Sequence, residues 1–351
     1  MEEKLRKIIE RIKPLDREAM AAAQARQDQL TKPTGALGRL EELSIQLAGI
    51  QRTARPRIKE KVIFTLAGDH AVAAKGASPY PSEVTQQMVF NFLAGGAGIN
   101  VLARQVGARV VVADLGVNGD FTGPNVPLDY KVAKGAADLT EGPAMTREQA
   151  LRSILAGVEL VEKAGAVDII GTGEMGIGNT TPSAAIAAVL TGAKVAEVTG
   201  RGAGLDDRGL EAKIRLIEQA LAVNKPNPRD PLDVLAKVGG FEIGGIAGLI
   251  IGGARAGVPV VIDGFISGAA ALIAQGLAPA ARDYMIGSHQ SVEIGHRIIY
   301  RHLGLRPLLD LDLRLGEGTG AALGIFLSQC AAAILNEMAT FAEAGVVGEH
   351  C

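Results

Sequence analysis

The chain has 351 residues and a formal net charge of −2, from 36 basic and 38 acidic side chains mixed along its length. At 48% hydrophobic and 21% charged it is long and apolar enough for one large core with a smaller satellite, which sets disorder aside. The lack of a basic block argues against a nucleic-acid partner, and 3% aromatic residues with no Trp weaken any reading that needs stacking platforms for single strands.

The opening MEEKLRKIIERIK is charged and amphipathic, unlike a signal peptide, and Leu5, Ile8, Ile9 and Ile12 share one helical face. After a turn at Lys32-Pro33-Thr34-Gly35, the spacing of Leu37, Leu40, Leu43, Leu47 and Ile50 predicts a second helix, ended by Thr53-Ala54-Arg55-Pro56-Arg57. From Lys61 short β-rich runs follow: Val62 to Leu66, Arg109 to Leu115, Val167 to Ile170 and Val258 to Ile262. Each ends in Gly or Asp and most are separated by helical patterns. This alternation predicts an α/β fold, a mainly parallel sheet flanked by helices, with ligands at the carboxyl ends of the strands. Those ends read Gly68-Asp69-His70, Asp114-Leu115-Gly116, Gly171-Thr172-Gly173-Glu174 and Asp263-Gly264-Phe265.

The richest apolar stretch, Ile243 to Ile251, is laced with glycine and too short for a bilayer, so no membrane span is expected. Asp310, Asp312 and Arg314 alternate with leucines, a strand pattern with one polar face. Ala321 to Phe341 is Ala-rich without internal Pro and predicts a helix packed on the N-terminal helices. The expected organisation is a large α/β domain over residues 56–316 and a small helical domain from 1–55 plus 317–351. The two cysteines, Cys330 and Cys351, form no disulfide framework and suit a reducing, cytoplasmic compartment.

Gly171-Thr-Gly-Glu-Met-Gly176 fits G-x-G-x-x-G after a strand, but the helix start is expected only near Thr181-Pro182. The acidic partner of a dinucleotide fingerprint finds only a loose match in Glu197. The same glycines would serve a mononucleotide phosphate, a dinucleotide, or simply a turn. In Thr199-Gly-Arg-Gly-Ala-Gly-Leu-Asp-Asp207, spacing alone favours Asp206 or Asp207 as a helix cap and Lys213 as a solvated side chain; a phosphate site requires that this turn face the first. Glu317, alone between two glycines before an Ala-rich helix, is either a base raised by an apolar cleft or a helix N-terminal carboxylate. His289, Glu293 and His296 have the spacing to share one helix face as metal ligands, but read equally as a capped helix, and no second cluster supports a metal. His70 reads as a loop histidine oriented by its neighbours.

Together these segments resemble the nicotinate-nucleotide–dimethylbenzimidazole phosphoribosyltransferases of the cobalamin pathway, collinearly from about Asp28 to Phe341. The matching motifs are Thr31-Lys-Pro-Thr-Gly-Ala-Leu-Gly-Arg-Leu-Glu41, Gly68-Asp-His-Ala-Val72, Gly171-Thr-Gly-Glu-Met-Gly-Ile-Gly-Asn-Thr-Thr-Pro182, Asn227-Pro-Arg-Asp230, Lys237-Val-Gly-Gly-Phe241, Asp263-Gly-Phe265 and Arg314-Leu-Gly-Glu-Gly318. The resemblance implies a Rossmann-like sheet, a small helical domain from both chain ends, a homodimer, and no cofactor or metal. It implies that Glu317 is the general base, and that Glu174, Gly176, Gly202 and Lys213 contact ribose and phosphate. It adds Asn179, Thr180, Asp263 and Gly264 to the substrate-binding set, and places Tyr80, Pro81, Gln87, Leu315 and Ser291 around the acceptor base. Two departures stand out. Ala71 replaces the usual glycine, and Tyr80 occupies a position that varies between small and aromatic residues, which bears on acceptor choice.

The implied chemistry is self-consistent. In nicotinate mononucleotide the leaving ring is already a pyridinium and needs no general acid, whereas the incoming benzimidazole has one N–H proton to lose. One carboxylate therefore suffices, where glycosidases use two. No pyrophosphate leaves, so no metal is called for. An NAD-dependent dehydrogenase built on the Gly171 turn and a non-catalytic nucleotide-binding module remain the alternatives.

Overall fold

The computed structural model describes residues 1–347; Cys351 and the end of the expected C-terminal segment, residues 348–351, lie outside the described residues. The β-rich runs become a parallel sheet of β1 (Lys61–Gly68), β2 (Arg109–Gly116), β3 (Leu128–Asp129), β4 (Ile169–Met175), β5 (Val260–Ile262) and β6 (Met285–Gly287). Its order is β3-β2-β1-β4-β5-β6, the doubly wound arrangement in which the chain reverses direction across the sheet between β1 and β4. In register, Lys61 pairs with Ile169 and Ala67 with Met175.

Both faces of the sheet are covered, so its strands read as continuous apolar runs rather than alternating ones. Val62, Phe64 and Leu66 enter one core with Ile154 and Ile246, while Ile63 and Ala67 enter the other with Ala321 and Ile325. On the first face the helices Arg147–Lys163 and Phe241–Ala256 lie backbone to backbone. A Cβ on Gly157 would overlap the Gly245 carbonyl, and one on Gly248 the Ile154 carbonyl. That contact is why the apolar stretch from Ile243 to Ile251 is laced with glycine.

The second face is covered by the helices Glu83–Ala94, Gly98–Val106 and Thr319–Glu337. Thr319–Glu337 is the one described helix long and apolar enough to cross a membrane by length and composition, at a mean hydropathy of 1.4. Here its Ala321, Ala322, Ile325 and Leu335 are buried, and it packs on β4 and on the helix Arg39–Gln51. The two ends of the chain are stitched together, with Thr31 N–H donating to Ala339 O at 3.0 Å and Phe341 N–H to Gln29 O at 2.9 Å.

Several expectations need correction. β4 begins at Ile169 and runs on through Gly171 and Gly173, which the sequence had as a turn. β6, at three residues, is too short to show a period. The expected strand over 310–314 is only β8 (Leu309–Asp310), paired with β7 (His289–Gln290), because Asp312 adopts φ +54° and breaks the extended run. The C-terminal helix stops at Glu337 and a second short one spans Phe341–Ala344. His289, Glu293 and His296 do not share a helix face: His289 is a strand residue, Glu293 is the N-cap and only His296 lies inside the helix Ile294–Leu303. Among the described residues no group of His, Cys, Asp and Glu is placed to hold a metal ion.

Candidate active site

The reversal of strand order between β1 and β4 leaves a crevice at their carboxyl ends, where Gly68-Asp69-His70 lies beside Glu174-Met175-Gly176. The approach is close: a Cβ on Gly176 would overlap the Gly68 carbonyl.

Glu317 enters this crevice from the loop before the helix Thr319–Glu337. Gly316, Glu317 and Gly318 have φ of +81°, +64° and +100°, so a non-glycine residue is held in the left-handed region, which costs about 1–2 kcal/mol. The compensating contacts are visible. Thr65 Oγ1 donates to the Glu317 carbonyl at 3.0 Å. The buried Asp263 accepts Gly318 N–H on Oδ2 (3.1 Å) and Ala321 N–H on Oδ1 (3.0 Å), capping the helix and fixing the loop at once. Gly173 provides clearance, since a Cβ there would overlap the Glu317 carbonyl.

The Glu317 carboxylate is buried at the N-terminus of Gly98–Val106, with Oε2 3.4 Å from the Ile99 N–H. Burial raises its pKa above the ordinary carboxylate value; the Ile99 N–H opposes this and the charge of Asp263 adds to it. Leu315 sits over the same helix start, 3.0 Å from a Cβ position on Gly98, and is otherwise exposed.

Glu174 is a further buried carboxylate of the crevice. Its Oε2 accepts from Asn179 Nδ2 at 2.5 Å, and its Oε1 lies where a Cβ on Gly316 would fall, beneath the Glu317 loop. Burial pushes its pKa up to about 8; Asn179 opposes, while Asp263, Glu242 and Glu317 reinforce it. Near neutral pH, Glu174 is predominantly a protonated acid, able to donate a hydrogen bond as well as accept one.

The far end of the crevice combines a helix N-terminus with a buried cation. Asn179 is the N-cap of the helix Thr180–Thr191, which presents its positive end there. Lys213, on the helix Asp207–Asn224, is not solvated as its spacing suggested: it is fully buried, and Nζ donates to Thr180 Oγ1 at 2.7 Å and Gly200 O at 3.3 Å. Burial lowers its pKa to about 8, with the charge of Glu293 opposing. Asp206 is the helix cap, accepting Gly209 N–H at 2.8 Å. Gly202, at φ +54°, has its Cβ position 2.9 Å from Thr180 Oγ1 and 3.3 Å from Lys213 Nζ. The Gly202 turn therefore faces the start of the helix Thr180–Thr191 and the Lys213 ammonium. Ser291 is buried nearby, accepts Glu293 N–H on Oγ at 3.3 Å, and lines a cavity of about 330 Å³ with Glu293 and Gln290.

Tyr80, Pro81 and Gln87 are exposed on the loop and first turns of Glu83–Ala94, whose Thr85 Oγ1 accepts Ile177 N–H at 3.1 Å, so this segment borders the β4 turn. Both Asp263 oxygens are committed to backbone N–H groups, and Gly264 caps Phe265–Leu277 behind it. Sequence reasoning missed the His70–Glu242 pair, fully buried with Nε2 and Oε1 at 2.7 Å. Burial opposes the charged imidazole, but the charge and hydrogen bond of Glu242 prevail and raise its pKa. The signal was one Glu within an apolar, glycine-rich helix.

The dinucleotide fingerprint is not formed. Gly171 and Gly173 are strand residues packed against Ile63, Ile325 and Glu317, leaving no loop of these glycines to wrap a pyrophosphate. A family model described as phosphoribosyltransferase matches residues 12–346. A nicotinate-nucleotide–dimethylbenzimidazole phosphoribosyltransferase of Desulforudis audaxviator is 59% identical over 97% of this chain and 98% of its own length.

The chain belongs to this phosphoribosyltransferase family.

A second member bearing that name, from Geotalea uraniireducens, is 55% identical over 99% of both chains. The crystal structure of a phosphoribosyltransferase of the same name from Thermus thermophilus covers 95% of this chain and 100% of its own, at 46% identity and a TM-score of 0.90.

Proposed function

We propose that this phosphoribosyltransferase moves the phosphoribosyl group of nicotinate mononucleotide to 5,6-dimethylbenzimidazole or a related base, giving α-ribazole 5′-phosphate and nicotinate. The observation that carries the reading is the placement of Glu317, a buried carboxylate of raised pKa in a left-handed loop, across the crevice from a buried Lys213 and a helix N-terminus. The phosphate binds at the Lys213 end and places the anomeric carbon beneath the Glu317 loop, using remote binding energy for alignment. The acceptor nitrogen forms its bond to that carbon as the bond to the pyridinium nitrogen breaks. Attack from the opposite face inverts the centre, and the electron pair of the broken bond neutralises the departing nicotinate ring. Glu317 takes the acceptor N–H proton. Glu174, protonated near neutrality, donates to a ribose hydroxyl. The homodimer and the cytoplasmic setting belong to the same proposal.

The test is incubation of purified protein with both substrates, followed by chromatography. Wild type should release nicotinate with equimolar α-ribazole phosphate. Glu317→Gln should bind the mononucleotide normally and lose about 10²–10⁴ in turnover, the usual contribution of general base catalysis. Near-normal turnover in the variant would remove Glu317 from the base role, and no product from wild type would return the chain to a binding function.

A further inference from the structure

A half-buried carboxylate outside the proposed catalytic set faces the phosphate end of the site. Glu293, at the N-cap of Ile294–Leu303, accepts the Gly202 N–H on Oε1 at 2.9 Å, and its Oε2 is buried without a hydrogen-bond partner. Its carboxyl group also fills the space where a Cβ on Gly200 would lie. An acidic side chain is thus pressed into the turn that faces Lys213 Nζ and Thr180 Oγ1. A backbone N–H is a single donor, so while Glu293 holds it no phosphate oxygen can.

We propose that Glu293 is a placeholder for the donor's phosphate: it holds the Gly200–Gly202 turn in the empty site, gives up the Gly202 N–H when a phosphomonoester dianion enters, and so sets how tightly that dianion is held. The inference rests on the phosphoribosyl reading of this site. In the empty crevice the carboxylate satisfies the turn and its charge acts on the buried ammonium. Once a dianion is bound, the same carboxylate is a like charge in a poorly solvated place. Glutamine keeps the accepting oxygen but is a weaker competitor for the N–H and carries no charge, so it eases the exchange. The phosphate does not react, so the effect belongs to binding and falls on KM rather than kcat.

The test is calorimetric titration of the full-length protein with nicotinate mononucleotide, comparing wild type, Glu293→Gln and Lys213→Ala. It is run at about pH 6.5, where Lys213, with its pKa of about 8, stays charged. Glu293→Gln should bind about three- to tenfold more tightly than wild type, with inorganic phosphate gaining as a competitor in parallel. A folded Glu293→Gln that binds equally or more weakly overturns the proposal and leaves Glu293 as a loop fastener. Should that variant fail to fold, Glu293→Ala is judged by the same affinity. Lys213→Ala separates the two readings: if it binds as well as wild type, the phosphate site itself is misplaced, whatever Glu293 does.

Discussion

Glu317 and Glu174 share one crevice under different demands. In the proposed reaction the first acts unprotonated and takes a proton while the second keeps one, and the depth of burial sets the difference. Glu174 also leaves a mark on stability. Its folded pKa of about 8 lies above its ordinary value of 4.5, so the folded state binds the extra proton. Its contribution is most favourable below pH 4.5 and is lost as pH rises through about 8. Glu174→Gln, which imitates the protonated form, should therefore melt higher than wild type at about pH 8.5, with the gap closing toward about pH 5; calorimetric melting across that range checks it. A gap independent of pH would mean that Glu174 is not the titrating group. At this scale the sequence was only partly legible. Glu317 stood out between glycines, but spacing alone favoured a solvated Lys213 and only the family resemblance pointed to a site role, although Lys213, Ile217, Ala220 and Asn224 lie along one buried helical stripe. The phase of the helix carried the signal; the charge of lysine hid it. Glu293 was unreadable, because its partner Gly202 is distant in the chain and offers only a backbone N–H.

Among the elements, β4 departs furthest from its sequence pattern. Its glycines suggested a loop, yet they are strand positions stripped of side chains so that the Glu317 loop and the helix Thr319–Glu337 can lie directly on the strand. Gly173→Ala should therefore push the Glu317 carbonyl away and strain the loop that Asp263 and Thr65 hold. The expected result is a folded protein destabilised by about 1–3 kcal/mol, with kcat falling more than mononucleotide affinity, measured by denaturant titration and steady-state kinetics. Unchanged turnover would show that the loop absorbs the methyl group. Strand existence was legible wherever runs were long, as in β1 and β2; β3 and β6 were too short to give a period.

For the molecule as a whole, the alternation of short apolar runs and helical patterns gave the parallel sheet, but not the order of its strands. That order depends on pairings between residues as distant as Lys61 and Ile169, which no local pattern encodes. The crevice was legible as a set of strand ends; which ends meet was not. We keep as proposals the division into residues 56–316 and 1–55 plus 317–351, and the homodimer. Sedimentation should give twice the 36.3 kDa chain mass at micromolar concentration, and a monomer that turns over normally would refute the dimer as the working unit.

The path of the chain also bears on its synthesis. Asp263 precedes Glu317 by some fifty positions, and both must be in place before the helix Thr319–Glu337 can dock on Ile63 and Gly171. Until that last tenth of the polypeptide leaves the ribosome, the sheet face formed by Ile63, Ala67, Ile169 and Val261 lacks a main cover. The nascent protein therefore carries an exposed apolar surface from the synthesis of Val261 until the chain is nearly complete, the kind of surface that chaperones bind and aggregation exploits. Closing the Glu317 loop and covering that surface are one late event.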